Sequence, residues 1–335
     1  MTDLNELLKH TSRSLYLSAK LLPVGVRDGF AVAYLLCRYA DSIADTSLLP
    51  AAQRLQWIKQ FPTFVMQPQD QKWQSLPQTI SSSATNIYEE KLLRNLPACL
   101  AAYQALPDWQ QKIILTVVAA VCQGMEIDLQ TFPDETSGQV KAFAGAAELE
   151  NYCHLMGGAP GVFWSELIAA TVRLPIEKDA FLNLGKNIGD GLQIVNILRD
   201  LPRDLRIGRC YFPQQDLQAC ALSATDLLDP ANAKRFEPIK QKWIAWGRSK
   251  LQNACAYFQV LPKTQVRHRL AVAWPVLWAA DTLNKLQQAP NLLDPNTRVK
   301  ISRRRVYATM LASVPVLLSN TLFKKWLQHK LSDGK

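Results

Sequence analysis

Residues 189–204 read GDGLQIVNILRDLPRD and combine an apolar stripe with a ridge of amides and carboxylates at helical spacing. On an α-helix, Gln193, Asn196 and Asp200 fall on one face, and Asp204 adds a carboxylate four residues beyond Asp200. The opposite stripe is apolar and is expected to face a core; it comprises Leu192, Ile194, Val195 and Leu198. Carboxylates that follow neutral amides along one ridge suit a hard divalent cation, which prefers oxygen ligands.

A proline interrupts this helix near its end. Proline disfavours α geometry at the preceding residue and removes a backbone donor, so we expect the helix to kink or end at Leu201. Asp204 would then reach the cation from a bent turn. The alternative is that Asp200 and Asp204 pair with basic neighbours on a solvated surface; these neighbours are Arg199, Arg203 and Arg206. An isolated acidic pair does not distinguish the two interpretations.

A second acidic pair lies far upstream, in RYADSIAD at residues 38–45. Asp41 and Asp45 are one helical turn apart, and Arg38 lies one turn before Asp41. The preceding residues 30–37 are almost wholly apolar, which predicts a helix buried on most sides. Two like charges at the end of such a helix repel each other, and a multivalent cation would offset that cost. Together the two pairs predict Mg²⁺ ions that face each other across a cavity and bind a diphosphate.

Composition favours an all-α protein with one large domain or two ordinary ones. The chain has 335 residues, 48% of them hydrophobic and only 14 of them glycine, and few stretches alternate apolar with polar residues. The formal net charge of +10 would attract phosphates, an acidic membrane surface or nucleic acid. No helix-turn-helix, zinc-finger or RNP-like signature supports nucleic acid, and no Rossmann or P-loop motif supports a nucleotide site.

The cysteines and histidines argue against disulfides and zinc. Seven scattered cysteines without a C-x-x-C motif favour reduced thiols in a cytoplasmic protein. Four histidines without an H-x-x-x-H pair make a zinc site a poor interpretation. The sequence begins MTDLNE, which does not resemble a signal peptide.

Residues 152–161, YCHLMGGAPG, place three glycines and a proline in an otherwise apolar, helical run. Each glycine weakens a helix by about 1 kcal/mol, so its presence indicates close approach of a ligand or of a neighbouring backbone. We interpret this run as one wall of a cavity with Tyr152 pointing inward. On the residues alone, a core tyrosine with a satisfied hydroxyl is the stronger alternative, and His154 is expected to be structural.

The remaining pattern predicts helices and connections. Helices are expected over 4–20, 85–105, 108–130, 233–260 and 264–288, with a further long helix starting at 139. Residues 61–83 are rich in Pro, Gln and Ser and are expected to form a loop. Residues 207–213, IGRCYFP, are expected to form a basic and aromatic turn that adds Arg209 to the phosphate site.

The final part of the chain is basic and then apolar. A dense basic cluster at 297–305 precedes a largely apolar run at 306–323, about 18 residues, which is near the lower limit for a membrane span. The run contains Ser, Asn and Pro315, so we expect a buried final helix rather than a transmembrane one. Contact of this end with a membrane surface, with the protein peripheral to the membrane, is the alternative left open.

Taken in order and spacing, these residues resemble the squalene/phytoene synthase family, the head-to-head prenyl transferases. The resemblance covers nearly the whole chain. It rests on Ser12-Arg13-Ser14, on Arg38 with Asp41 and Asp45, on Tyr152-Cys153-His154 with Gly158 and Gly161, and on Gln193, Asn196, Asp200 and Asp204 with Gly208, Arg209, Tyr211 and Pro213. Tyr-Cys-His at 152–154 and Val-Lys-Ile at 299–301 resemble squalene synthases more than phytoene synthases. The chain departs from the family at Pro202 and Arg203, where relatives usually carry non-proline and often acidic residues, and it shows no evident membrane anchor of the eukaryotic type.

The resemblance implies a single catalytic domain over 1–335, with the isoprenoid synthase fold around a central apolar cavity. It assigns Mg²⁺ binding to Asp41, Asp45, Asn196, Asp200 and Asp204. It assigns diphosphate binding to Ser12, Arg13, Arg38, Gln193, Asn196, Arg209 and Tyr211. It makes Tyr152 the residue that helps to remove a proton, and it makes Lys300 and Arg303 candidates for NADPH contacts.

The implied reaction joins two farnesyl diphosphates through presqualene diphosphate, and reduction by NADPH then yields squalene. Phytoene, dehydrosqualene or presqualene diphosphate synthesis are the alternatives of the same class. A non-catalytic helical assembly protein of the same fold is an alternative of another class, although the intact acidic pairs and Tyr152 argue against it. A basic helical protein that binds membranes or nucleic acid would leave both acidic pairs unexplained. The oligomeric state is not predicted.

Overall fold

The computed structural model describes residues 2–12, 14–68, 72–81, 87–132, 135 and 137–332. It is 77% helical with 3% strand, so the predicted all-α class is confirmed. The chain forms two compact units, Met1–Gln130 and Thr131–Lys335. The single catalytic domain around one apolar cavity stays a prediction.

The first unit is built from helices. They are α1 (Thr2–Thr11), α2 (Ser14–Ala19), α3 (Val24–Asp45), α4 (Ala51–Met66), α5 (Lys72–Ile80), α6 (Ile87–Arg94), α7 (Leu96–Gln104) and α8 (Asp108–Thr131). The long α3 packs against α1, α4, α6 and α7. Its apolar residues recur at helical spacing and are buried, as the sequence predicts, so the acidic pair lies at the end of a well-anchored helix.

The expected loop at 61–83 is wrong, because α4 continues to Met66 and α5 covers Lys72–Ile80. Phe61 and Val65 on α4, and Trp73 and Ile80 on α5, are buried at helical spacing. The rings of Phe64 and Trp73 stack at 4.3 Å between centroids. Among the prolines and glutamines of this stretch, apolar residues recur at helical spacing, and these residues pack in the core of the first unit.

Helix α8 meets the length and hydropathy of a membrane span, and 44% of its most apolar window is buried inside the protein. Core helices of soluble proteins meet the same criteria, so composition alone does not place α8 in a membrane.

The second unit contains α-helices, short 3₁₀ and π-helical segments and a small sheet among its described residues. The helices are α9 (Ala146–Cys153), α10 (Ala159–Ala169), α11 (Lys178–Asp204), α12 (Gln214–Ala219), α13 (Ala233–Leu251), α14 (Ala254–Val260), α15 (Val266–Gln288), α16 (Arg303–Ser313), a 3₁₀ helix (Pro315–Leu318) and α17 (Asn320–Leu331). Strands β1 (Lys141–Phe143) and β2 (Arg209–Pro213) pair in parallel, with Lys141 opposite Arg209. The long helix expected from 139 is wrong, because residues 141–143 form β1 and α9 begins only at Ala146.

Helix α11 is central to this unit, since α9, α10, α13, α14 and α15 all pack against it. A π-helical segment, His154–Gly158, joins α9 to α10. Any Cβ atom added at Gly157 would overlap the backbone of Gly189, and one at Gly161 would overlap that of Gly185. The glycines therefore serve the close approach of a neighbouring backbone, which is one of the two causes the sequence left open.

The expected buried final helix at 306–323 is also wrong. Helix α16 ends at Ser313, a 3₁₀ turn follows at Pro315–Leu318, and α17 begins at Asn320. Proline at 315 cannot continue the ladder of backbone hydrogen bonds, so the run is divided. Several of its large apolar side chains are exposed, including Leu311 at 75%.

Candidate active site

The acidic pair of the first unit lies at the last turns of α3. One guanidinium nitrogen of Arg38 forms an ion pair with Asp41, and the other lies 3.4 Å from Glu89 Oε1. The Ser42 hydroxyl donates to the same Glu89 oxygen at 2.9 Å. The side chains of Arg38 and Asp41 are each about one-third exposed, so the carboxylate is reachable from solvent and already held by a cation.

Glu89 on α6 was missed by sequence reasoning. Although burial alone would lower the pKa of Arg38, the negative charges of Asp41 and Glu89 outweigh it and raise that pKa. Arg38 is therefore a permanent cation beside the acidic pair. No local pattern links positions 38 and 89, because the partner comes from a different helix.

Ser12 lies near the end of α1 and is buried, and its hydroxyl donates to the carbonyl of Leu8 at 2.6 Å. The hydroxyl of Tyr34 on α3 donates to the carbonyl of Thr11 at 2.8 Å, which ties this end of α1 to α3. Arg13 and the Ser14 side chain lie outside the described residues, so their predicted roles are not placed.

The predicted ridge of α11 is present in the second unit. Gln193, Asn196, Asp200 and Asp204 are all half-buried, while Ile194 and Leu198 on the opposite side are fully buried. The side-chain amide of Asn196 donates to Gln193 Oε1 at 3.4 Å. The division into an apolar and a polar face, predicted from spacing alone, therefore agrees with the structure except at Leu192, which is only half-buried.

The helix does not end at Leu201, because α11 runs through Pro202 to Asp204; the alternative of a kink there stays a prediction. Proline removes only the hydrogen bond of its own nitrogen, and the buried side chains of Leu201 and Pro202 hold the last turn in place. Asp204 consequently lies four residues beyond Asp200 within the same helix.

Arg199 binds Asp200 in a two-pronged ion pair. Its Nε lies 2.9 Å from Oδ1, and its Nη2 lies 2.6 Å from Oδ2. The hydrogen bonds that Arg199 donates to Asp200 are the main cause that raises the pKa of Arg199. This is the surface pairing that the sequence offered as the alternative to a metal site. Both side chains are about 40% exposed, where such a pair is worth about 1 kcal/mol or less, so a divalent cation can compete for the carboxylate.

Two predicted site residues meet in the second unit. The hydroxyl of Tyr152 donates to that of Tyr211 at 3.4 Å, and the rings stack at 4.8 Å between centroids. Phe143 of β1 lies 5.7 Å from each ring, and Phe132 lies 5.1 Å from that of Tyr211. Both tyrosines are buried, so their paired hydroxyls are the polar groups of an aromatic cluster.

The turn expected at 207–213 is confined to its first residues, and the rest of the segment is a strand. Gly208 adopts a left-handed backbone with φ of 83°, and residues 209–213 then extend as β2. The strand positions Tyr211 against Tyr152 and lets Arg209 form an ion pair with Glu135 at 3.0 Å. Glu135 is a second acidic partner that sequence reasoning missed.

Asp190 was also missed, although it lies inside the stretch quoted first. Its carboxylate is almost completely buried, with Lys186 Nζ at 2.8 Å, Lys250 Nζ at 3.5 Å and His154 Nδ1 at 3.9 Å. Burial and the neighbouring Lys186 lower the pKa of His154, so the ring is neutral near pH 7. Lys186, four residues before Asp190, was the available signal. Asp190 and its three neighbours therefore connect the π segment with α11 and α13.

Arg303 is the first residue of α16, and Lys300 lies three positions before it; both are exposed. Their assignment to NADPH stays a prediction. The second unit also has a surface groove of about 460 Å³ that contains none of the predicted site residues; it is lined by Arg173, Leu174, Pro175, Gln259, Val260, Leu261, Pro262, Lys263 and Asn320.

The donor set fits Mg²⁺ that arrives with a phosphate ligand. Among the described residues, no three His, Cys, Asp or Glu side chains form a preformed metal cluster. Mg²⁺ is usually held by one or two carboxylates together with substrate phosphates, and each acidic pair supplies two carboxylates one turn apart. Each pair is described within its own unit, and their action on one diphosphate stays a prediction.

Comparison with known proteins gives concordant matches. A sequence model of the family described as Squalene/phytoene synthase matches residues 8–305. A squalene synthase of Schizosaccharomyces pombe is 24% identical over 295 residues, which is 88% of this chain and 61% of that protein. A bifunctional lycopene cyclase/phytoene synthase of Colletotrichum graminicola is 26% identical over 242 residues, which is 71% of this chain and 38% of that protein.

A solved structure of TcSQS in complex with the ligand E5700 has the same fold, with a TM-score of 0.77 at 18% sequence identity. The similarity covers 99% of this chain and 96% of that one. The chain spans less than two-thirds of the length of the two curated relatives described above.

Proposed function

The chain belongs to the squalene/phytoene synthase family, and from that premise we propose that it is a magnesium-dependent prenyltransferase that condenses two farnesyl diphosphates head to head. The observation that carries the proposal is the polar ridge of α11, where Asn196, Asp200 and Asp204 present oxygen ligands along one half-buried face. The matching pair at the end of α3, with Arg38 beside it, supports the same chemistry.

The acidic pairs would hold the metal and the arginines would hold the leaving group. When bound, Mg²⁺ stabilises the negative charge that develops on the departing diphosphate. Arg38 and Arg209 each carry a fixed positive charge and can donate several hydrogen bonds to phosphate oxygens. Arg199, which pairs with Asp200 in this structure, becomes available for the same task when the carboxylate binds a cation.

Tyr152 would take part in proton removal. A tyrosine hydroxyl with a pKa near 10 is a weak base, so we assign it a shared role with the diphosphate rather than a sole one. Its partner Tyr211 orients the hydroxyl, because the two oxygens lie 3.4 Å apart inside an aromatic cluster. The surrounding rings exclude water from that point, which suits a reaction with a carbocation.

We further propose that the product is squalene, formed through presqualene diphosphate. NADPH, when bound, supplies the hydride that completes this reaction. Lys300 and Arg303 are exposed cations suited to its phosphates. The squalene synthase of S. pombe supports this assignment, although its identity to the chain is only 24%.

Phytoene synthesis from the longer geranylgeranyl diphosphate is the second candidate. The observation that favours it is the C. graminicola relative, whose name includes phytoene synthase and whose identity, 26%, is similar. Dehydrosqualene or presqualene diphosphate as the final product are variants of the first candidate in which the reduction is absent.

Product analysis tests the proposal. The purified protein is incubated with Mg²⁺ and either farnesyl or geranylgeranyl diphosphate, with and without NADPH, and the lipids are identified by mass spectrometry. We expect squalene from the shorter substrate only when NADPH is present. Phytoene from the longer substrate would instead support the second candidate.

Substitution at the acidic pairs provides the control. Asp41→Asn and Asp200→Asn should each abolish turnover of farnesyl diphosphate, while the circular dichroism spectrum of the protein is unchanged. Asp179→Asn, at an exposed acid near the start of the same helix α11, should retain turnover. Absence of any product from the parent protein would favour a non-catalytic helical protein with this fold.

A further inference from the structure

Helices α16 and α17, with the 3₁₀ turn between them, display a row of large apolar side chains to solvent. The row consists of Tyr307, Leu311, Val314, Leu318 and Leu322, whose exposure ranges from 48% to 75%. Tyr307 and Leu311 lie on one face of α16, and the other three follow along the 3₁₀ turn to the start of α17. A row of this kind is informative, because single exposed apolar residues are common whereas contiguous ones mark interaction surfaces.

The polarity of α16 is inverted. Its inward side buries Thr309 and Ser313, which are small and polar, while Leu311 and Tyr307 face outward. Burial of apolar area normally places the large apolar side chains inside, so an outward apolar face needs a cover that the described residues do not supply.

The segment that carries this row is basic. Residues 295–332 contain eight Lys or Arg residues and no Asp or Glu. Arg305 and Lys330 are engaged by Asp281. Of the other six, which are all exposed, Lys300 and Arg303 are the candidates for NADPH contacts; the remaining four are Arg298, Arg304, Lys324 and Lys325.

The two helices are firmly attached to the unit beneath them. Asp281 on α15 forms ion pairs with both Arg305 and Lys330, and the indole of Trp274 donates to Ser313 Oγ at 3.0 Å. Phe323 and Leu327 of α17 are buried in the core. The apolar row therefore lies on an ordered scaffold, and its exposure does not result from a frayed end.

We propose that this face, the α16–α17 face, docks on an anionic lipid membrane, with the apolar row inserted among the acyl chains and the basic residues at the headgroups. An amphipathic surface with apolar residues flanked by Lys and Arg has the composition of an interfacial anchor. A second copy of the chain is the less favourable occupant, because a two-fold contact would bring the two basic rims together. The proposal is independent of the reaction proposed above.

Sedimentation with lipid vesicles tests the docking. The full chain is mixed with vesicles of phosphatidylcholine alone or of phosphatidylcholine with phosphatidylglycerol, and the bound fraction is measured at several salt concentrations. We expect binding to the anionic vesicles that weakens as salt is raised. The Leu311→Ser/Leu318→Ser variant should bind at least roughly tenfold more weakly, and Lys324→Gln/Lys325→Gln should also bind about tenfold more weakly.

The matched controls make the same kinds of substitution at exposed positions of the first unit. Val24→Ser/Ile87→Ser removes two exposed apolar side chains from the first unit, and Lys20→Gln/Lys112→Gln removes two exposed charges there. Both controls should bind like the parent. Equal binding by Leu311→Ser/Leu318→Ser and the parent would overturn the proposal. The proposal would also be overturned if sedimentation equilibrium showed that the parent is a dimer and that this variant is a monomer. Binding that is equally strong on neutral vesicles would overturn the assignment to anionic lipid.

Discussion

At the scale of single residues, the site places each of two carboxylates beside a cation. Asp41 is held by Arg38 from one helical turn before it, and Asp200 is held by the adjacent Arg199. Such pairs keep acidic residues from repelling each other when no metal is bound. In the proposed function the same arginines would bind phosphate once the carboxylates coordinate a cation, so one set of side chains would serve both states.

Tyr152→Phe separates the catalytic from the structural role of the tyrosine hydroxyl. We expect turnover to fall by about 10²-fold or more, because the substitution removes the group to which we assign proton transfer. The free energy of unfolding should fall by only about 1 kcal/mol, since one neutral hydrogen bond is removed. Product formation and chemical denaturation measure the two effects.

Tyr257→Phe is the control for this prediction. Tyr257 is also buried, and its hydroxyl lies 2.9 Å from Ser165 Oγ, so the loss of stability should be similar while turnover is retained. If both variants lost turnover equally, Tyr152 would have no special part in the chemistry.

At the scale of elements, two contacts within the second unit position the site. The glycines of α10 and of the π segment allow close packing on α11, and the pairing of β1 with β2 brings Tyr211 to Tyr152. Neither contact was predicted as such, because each joins residues far apart in sequence. The helical faces themselves were predictable, since they depend on neighbours three and four residues away.

Gly161→Ala tests the close packing of α10 on α11. The new methyl group would overlap the carbonyl of Gly185, and relief of this overlap should cost about 1–3 kcal/mol of unfolding free energy. Gly25→Ala on α3 is the control, because no atom lies within 4 Å of the added Cβ. Its stability should be unchanged or raised by up to about 1 kcal/mol. An equal effect of both changes in urea denaturation would refute the packing argument.

The ion pairs of Asp281 predict how stability depends on pH. Burial alone would raise the pKa of Asp281, but Arg305 and Lys330 outweigh it and hold the pKa below its ordinary value of 3.8. Burial lowers the pKa of Lys330 more than Asp281 raises it. The folded structure therefore favours the charged form of Asp281 but disfavours the charged form of Lys330. Because the folded-state pKa of Asp281 is depressed, its stabilising effect is present above about pH 4 and is lost as the pH falls through the folded-state value.

Asp281→Ala should destabilise the protein by about 3–5 kcal/mol near pH 7, because Lys330 is left buried without its partner. The variant should also lose less stability than the parent between about pH 5 and pH 3. Asp281→Asn/Lys330→Met, which removes both charges, should recover much of the loss. Thermal denaturation at several pH values measures all three proteins, and parallel pH curves for the parent and the alanine variant would contradict the role of the carboxylate.

At the scale of the whole molecule, the two acidic pairs belong to different compact units. If both serve one reaction, ligand binding must depend on each. Mg²⁺ with inorganic pyrophosphate should raise the melting temperature of the parent by about 5 °C at a ligand concentration near 100 times the Kd. Neither ligand alone should have this effect.

Asp41→Asn and Asp200→Asn should each abolish that shift, whereas Asp179→Asn should retain it. Differential scanning fluorimetry makes the comparison directly. A full shift in either of the first two variants would mean that the corresponding unit does not contribute to diphosphate binding, and the proposed function would lose half of its ligand set.

Local sequence determined the helical class, the two-faced character of α11, the acidic end of α3 and the membership of a family, because each depends on residue types at spacings of three to seven or on motifs in order. Tertiary structure alone decided that residues 72–80 are helical, that α11 continues through Pro202, and that the apolar row of α16 and α17 faces outward. It also decided three side-chain contacts, which are those of Arg38 with Glu89, of Arg209 with Glu135 and of Tyr152 with Tyr211. These partners are separated by 51, 74 and 59 positions, and no local period connects residues that meet only when distant segments pack together.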